Sequence, residues 1–184
     1  GQWPTQERYE IGNSIRFSYV DDAFLKRTPS SAGSRTTWTW SGWIKRANLI
    51  ENYQGLFVSG PTSGANDFTW AAVQIAGGSH DHKYYTGTWG GAVYIKRPAR
   101  LTASERVRIY FDGVLQTNFS TSADPDQNDE FGINMAQPHA IGAYDETQQD
   151  TGVYPYDGYM AEVNFIDGTA LTAASFGETD EDSG

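Results

Sequence analysis

The 184-residue chain predicts an all-β domain, built as a two-sheet antiparallel sandwich of jelly-roll type. Three observations lead there. Turn-forming residues, 20 glycines among them, recur at short intervals. Between them lie apolar runs of strand length, several alternating with polar residues. No apolar stretch sustains a helical period. Eight or more short strands in one domain suit two packed sheets better than an open α/β sheet.

Ser14 to Phe17 alternates and opens the series. Thr36 to Lys45 alternates with aromatic weight, and Gly55 to Val58 is a compact apolar run closed by Ser59-Gly60-Pro61. Phe68 to Ile75 ends at Gly77-Gly78, and Ala92 to Ile95 stops before Pro98. Val107 to Phe111 runs into Asp112-Gly113, a strong hairpin signal, and Val114 to Gln116 returns from it. Ala140 to Gly142 is a short strand, and Tyr159 to Ile166 alternates up to Asp167-Gly168. Helix signals are confined to single turns, at Leu101 to Glu105 with its capping pattern and at Leu171 to Phe176. Thr121 to Asn134 and Tyr144 to Pro155 read as exposed loops. The sandwich is expected over residues 1–177, followed at 178–184 by an acidic tail or the start of a linker.

Composition narrows the function. Aromatics are 14% and charged residues 20%, unlike a disordered chain. The absence of cysteine excludes disulfides and Cys-ligated zinc. A net charge of −10 argues against a nucleic-acid partner, which needs clustered Lys and Arg. No apolar stretch reaches the length of a membrane span, so no membrane insertion is expected.

Trp38, Trp40 and Trp43 crowd one strand. Side chains alternate along a strand, so Trp38, Trp40 and Ile44 share one face and belong to the core. Thr37, Thr39, Ser41, Trp43 and Lys45 share the other. By the same alternation Val107, Ile109 and Phe111 point inward, and Arg108, Tyr110 and Asp112 outward. In the late strand Tyr159, Ala161, Val163 and Phe165 point inward, and Met160, Glu162, Asn164 and Ile166 outward. A bulge at Ser41-Gly42 would switch the parity. If the outer faces meet on one sheet, Trp43, Arg108, Tyr110, Glu162 and Asn164 form a surface suited to a saccharide. Aromatic rings stack on sugar carbons while amide, carboxylate and guanidinium groups bond the hydroxyls. The alternative is that a loop of the domain covers Trp43 and the polar groups pair with each other.

Two loops compete for attention. The stretch 77–89 concentrates His80, Asp81, His82, Tyr84, Tyr85 and Trp89, and reads as a glycan-binding loop, a His/Asp metal site or a solvated hairpin. At 124–130, Asp124, Asp126, Asn128 and Glu130 place oxygen ligands at alternate positions. Asp129 stands where a calcium loop needs its turn glycine, and Met135 where it needs its bidentate acid. A looser calcium site and a solvated acidic turn are the two remaining readings.

"TWTWSGWIKR" (37–46), "SERVRIYFDGV" (104–114) and "YDGYMAEVNFIDGTALTAASFGE" (156–178) together resemble the laminin-G-like, concanavalin-A-like lectin/glucanase sandwich of bacteriophage tail and virion proteins. "SIRFSYVDDAFLKRTPSSAG" (14–33) and "HAIGAY" (139–144) extend the likeness over nearly the whole chain. The resemblance implies a concanavalin-A-like fold and a lectin-like module on a virion surface, made in the bacterial cytoplasm. Its implied partners are a host surface glycan and other virion subunits in a homo-oligomeric assembly, with no required cofactor. The rival reading is a structural or decoration module that binds neighbouring subunits and no sugar. Related glucanases carry Glu-x-Asp-x-x-Glu, and the nearest match here is Glu162-x-Asn164-x-x-Asp167. Asn164 cannot act as the helper acid, so the chain is expected not to be an enzyme.

Overall fold

The computed structural model describes residues 11–47, 54–59, 74–75, 91–97, 102, 105–117, 127–128, 130, 132–143 and 155–177, with 74–75 and 91–97 described by their backbone alone. Eleven strands run through these residues: β1 (Ile15–Phe17), β2 (Leu25–Arg27), β3 (Trp38–Arg46), β4 (Gln54–Gly55), β5 (Phe57–Ser59), β6 (Gln74–Ile75), β7 (Gly91–Arg97), β8 (Arg108–Phe111), β9 (Val114–Leu115), β10 (His139–Ile141) and β11 (Gly158–Asp167). A 3-10 turn, Ala173–Ser175, follows β11. The strands form an antiparallel six-stranded sheet in the order β1-β11-β3-β7-β8-β9, a three-stranded sheet β2-β10-β5, and the short pair β4-β6. The expected all-β sandwich is what forms. β2 is the strand that sequence reading missed: its three residues Leu25, Lys26 and Arg27 are all exposed, so it carries no alternation.

The core lies between the six- and three-stranded sheets. Trp40, only 1% exposed, stacks on Phe57 of β5 at 6.3 Å between ring centroids. Phe165 closes the group, 5.6 Å from Phe57 and 6.0 Å from Trp38. At the other end Phe17 meets the edge of Tyr156 at 6.1 Å, and burial pushes the Tyr156 phenol well above its ordinary pKa. Trp38, Trp40 and Ile44 are therefore core residues, as their shared parity requires.

The alternation of β11 breaks where the sequence shows no mark. Ala161 pairs with Trp43 and Asn164 with Ser41, so β11 carries one more residue than β3 over this span. Glu162 takes up the excess with a φ of +49°, in the left-handed region that a branchless but long side chain enters at a cost. The bulge thus lies on β11 rather than at Ser41-Gly42. It corrects the expected faces: Met160 is buried in the core opposite Ile44, while Tyr159 and Ala161 share the outer face with Lys45 and Trp43. Beyond the bulge Val163 and Phe165 face inward as expected, Val163 lying over Gly42, where a Cβ would stand 3.2 Å from its Cγ2.

A chain of polar contacts ties the two sheets. Asp167 Oδ1, at the end of β11, accepts from the Ser34 N–H (2.8 Å) and from Asn134 Nδ2 (2.6 Å). The Asn134 N–H donates to His139 Nε2 on β10 at 2.9 Å, which leaves the imidazole proton on Nδ1, facing the Gln137 carbonyl at 2.8 Å. Gln137 donates onward to Ser59 Oγ of β5, whose hydroxyl donates to the Gly132 carbonyl at 2.6 Å. Glycine is needed at 33 because a Cβ there would overlap both Asp167 and Asn134.

Two stability predictions follow from this packing. Gly142 has a φ of +86°, and a Cβ there would collide with the Phe17 ring. Gly142→Ala is expected to lose about 1–3 kcal/mol in chemical denaturation, and an unchanged midpoint would contradict the contact. Burial holds the His139 imidazole below its ordinary pKa of 6.5, against a smaller opposing pull from the Gln137 carbonyl. The unfolded chain therefore takes up this proton first, so the contribution is complete above 6.5 and declines as pH falls toward the folded value. Denaturation at about pH 7.5 and about pH 5.5 should show lower stability at the acid end, by a margin that narrows in His139→Gln. Equal margins in the two proteins would remove His139 from the account.

Candidate functional site

The outer face of the six-stranded sheet is covered at one end and open at the other. β3 shows the gradient: Thr39 is 0% exposed, Ser41 4%, Trp43 half-buried and Lys45 exposed. The chain after β11 supplies the cover. Thr39 Oγ1 donates to the Thr169 carbonyl at 2.7 Å and accepts from the Leu171 N–H at 3.0 Å. Thr39 and Ser41, expected on a polar outer surface, are instead buried, because β3 is a central strand with this segment laid across its outer side.

Trp43 stands where the cover ends. Its register partners are Ala161 on β11 and Ala92 on β7. Neighbours directly across a ladder lie about 4.5–5.5 Å apart at Cβ, so their size decides whether a ring is crowded. Two alanines put no bulky side chain directly opposite the indole on either neighbouring strand.

Four of the residues singled out from sequence share this face. Asn164 lies opposite Ser41, and its Nδ2 donates to the Glu162 carbonyl at 2.6 Å and approaches Ser41 Oγ at 3.5 Å. Tyr110 and Arg108 lie on β8, in register with Tyr94 and Lys96 of β7, which in turn pair with Ser41 and Thr39. Arg108 is engaged by Glu105 at 2.8 Å. Trp43, Asn164, Tyr110 and Arg108 thus occupy one face; Glu162, expected with them, sits at the bulge and borders the cleft of Ile15, Phe17 and Met160 at the seam of the sheets. Tyr84, Tyr85 and Trp89 lie outside the described residues, as do His80, Asp81 and His82.

Of the acidic stretch, Asp124 and Asp126 also lie outside the described residues. Asn128 adopts a φ of +67° in a turn, and Glu130 accepts from Arg35 at 2.7 Å, with a second Arg35 bond to its carbonyl at 3.0 Å. No group of three or more His, Asp or Glu among the described residues is placed to hold a metal. The glucanase-like trio is dispersed as well. Glu162 and Asp167 are five positions apart along a strand, about 16 Å at about 3.3 Å per residue, whereas paired catalytic carboxylates stand about 5–9.5 Å apart. Asp167 is moreover held in the inter-sheet contacts.

No protein-family model matches the sequence, and no curated protein matches it. Solved structures do. The chain is similar to the CBM40 domain of the Ruminococcus gnavus IT-sialidase bound to α2,3-sialyllactose, with a TM-score of 0.51 and 15% identity over 90% of this chain and 94% of that one. It is also similar to the binding domain of botulinum neurotoxin serotype G, with a TM-score of 0.52 and 10% identity over 91% of this chain and 42% of that one. The fold is an all-β, antiparallel two-sheet sandwich of the kind these domains share.

Within this sandwich the residues that sequence reading did not gather are Arg16, Tyr159 and Lys45. Arg16 of β1 pairs with Tyr159, which pairs with Lys45 of β3, and all three are exposed. Tyr159 was placed in the core only because the unmarked bulge was not foreseen; the alternation of Arg16 with Phe17 was the available signal for the rest.

The two kinds of tryptophan separate on mutation. Trp40→Ala should lose about 3–5 kcal/mol, and Trp43→Ala about 1 kcal/mol. Urea unfolding of both variants measures the difference. Similar losses would mean that Trp43 belongs to a core.

Proposed function

We propose that the chain is a non-enzymatic, lectin-like module that binds a saccharide on the open half of the outer face of its six-stranded sheet. One observation carries the reading: an indole, Trp43, stands at the edge of the covered zone with alanines at both register positions beside it. A flat apolar ring with polar groups alongside is what a sugar needs, its carbons stacking on Trp43 while side chains nearby offer hydrogen bonds; Asn164, Tyr110 and Arg108 share the face at the level of Ser41 and Thr39, toward its covered end. The likeness in fold to a domain bound to sialyllactose supports this choice. The aromatic loop of Tyr84, Tyr85 and Trp89 is included as a second contact zone, from its sequence. Binding requires no cofactor on this reading, and calcium at Asp124, Asp126, Asn128 and Glu130 is the variant to be tested. The setting we propose, a phage virion surface that adheres to a host glycan, rests on the sequence resemblance.

A second reading has its own support. Ile15 and Leu25 remain 51% and 46% exposed beside a cleft of about 270 Å3 lined also by Phe17, Ile141, Met160 and Val163. Apolar groups left open at the seam of two sheets suit packing against a neighbouring subunit.

A glycan array and host-cell binding, with and without calcium, decide between them. The proposal expects saccharide binding that Trp43→Ala weakens about tenfold or more, as loss of one stacking platform does. Loss in Tyr85→Ala alone would move the site to the loop. A folded domain that binds neither sugars nor cells would support the structural reading.

A further inference from the structure

The exposed row Arg16–Tyr159–Lys45 runs across three adjacent strands, next to Trp43. Its order follows from the ladders: Arg16 is opposite Tyr159, and Tyr159 is opposite Lys45. Its side follows from the neighbours: Phe17, Met160 and Ile44, one residue along in each strand, are buried in the core. Alternation therefore sets all three members on the outer face. Strands lie about 4.8 Å apart, so the two cations stand about 10 Å from each other at the backbone, with the phenol between them. Trp43 lies two residues along β3 from Lys45, about 6.6 Å away on the same side.

The charge of this row runs against the molecule. The chain carries −10 overall, yet neither Arg16 nor Lys45 has an ion-pair partner among the described residues. Arg35 and Arg108, by contrast, are each held by a glutamate. The nearest carboxylates along β11 are Asp157, just before the strand and hydrogen-bonded through its carbonyl to Ala47, and Glu162, at the bulge. Neither stands in the row. Two cations flanking an aromatic ring, with a second ring alongside, form a surface for one planar anion on a ring-shaped apolar body.

We infer that the Arg16–Tyr159–Lys45 row binds the carboxylate of an acidic sugar, so that the module selects carboxylated over neutral saccharides. This rests on the saccharide-binding reading above and names its ligand class. The Arg16 guanidinium takes the carboxylate in a forked pair of hydrogen bonds. Tyr159 lies under the sugar ring, Lys45 reaches the same carboxylate or a neighbouring hydroxyl from the other side, and Trp43 accepts the next ring. Nonulosonic and uronic acids share this chemistry, and the probes separate them.

The experiment is a calorimetric titration of the chain with 3′-sialyllactose, with a galacturonic acid trimer, and with lactose as the neutral control. Wild-type protein should bind at least one acidic probe about tenfold or more tightly than lactose, the scale of one hydrogen bond to a charged group. Arg16→Ala should remove that preference, Lys45→Ala should reduce it, and Arg16→Lys should restore part of what Arg16→Ala loses. Arg16 and Lys45 are both exposed, so matching thermal midpoints will show that their variants fold. Which acidic probe binds identifies the sugar class. Equal binding of lactose and both acidic probes, still sensitive to Trp43→Ala, would overturn the inference while leaving the saccharide-binding function standing. Acidic preference unchanged in Arg16→Ala and Lys45→Ala would overturn it too. Binding of no probe, alongside an array without hits, would overturn both.

Discussion

One extra residue in β11 decides which side chains meet across this sandwich. Without the bulge between Ala161 and Asn164, a strand that turns Phe165 toward Trp40 would turn Tyr159 toward the core and Met160 away from it. With it, both ends of β11 serve the interior: Met160 packs with Phe17 and Ile44 at one end, and Phe165 with Trp38 and Phe57 at the other. The backbone strain is confined to Glu162, whose φ is +49°, and strain of this kind amounts to about 1–3 kcal/mol. The same shift frees Tyr159 for the outer face. Core and candidate site thus share a single backbone irregularity.

The outer face owes its division to the chain that follows β11. Asp167 is drawn toward Ser34 and Asn134, Gly168 donates to the Thr37 carbonyl, and the next residues are led over Thr39. That path buries one half of the face beneath the protein's own backbone and stops before Trp43. Side chains of similar polarity then have different roles by position. Thr39 and Ser41 satisfy internal hydrogen bonds, while Lys45, Tyr159 and Arg16 face solvent. Among the described residues of β3 and β11, the rings left open on this face are Trp43 and Tyr159, both in the second half.

Much of the fold was legible in the sequence because it is written in local alternation. β3, β8 and the hairpin at Asp112-Gly113 follow from period and turn chemistry, and the inward parity of Trp38, Trp40 and Ile109 follows with them. β2 was not legible, since Leu25-Lys26-Arg27 is an exposed strand whose place is set by its pairing with β10. The bulge on β11 was not legible for a different reason: over 159–165 the odd positions are Tyr, Ala, Val and Phe and the even ones Met, Glu and Asn, an unbroken alternation that shows no switch of parity. The candidate site was half legible. Trp43, Asn164, Arg108 and Tyr110 fall on one face through alternation alone, but the row of Arg16, Tyr159 and Lys45 depends on strand order, which one sequence does not state.

The central claim is that ligand contacts the open outer face and leaves the core tryptophans alone. The most direct measurement is the response of the indole N–H resonances to added saccharide in a nitrogen–proton correlation spectrum. The account predicts that the Trp43 signal moves as binding saturates, together with the amides of Lys45 and Tyr159, while those of Trp38 and Trp40 stay in place. Saturable binding that leaves Trp43 and its neighbours unmoved would contradict it.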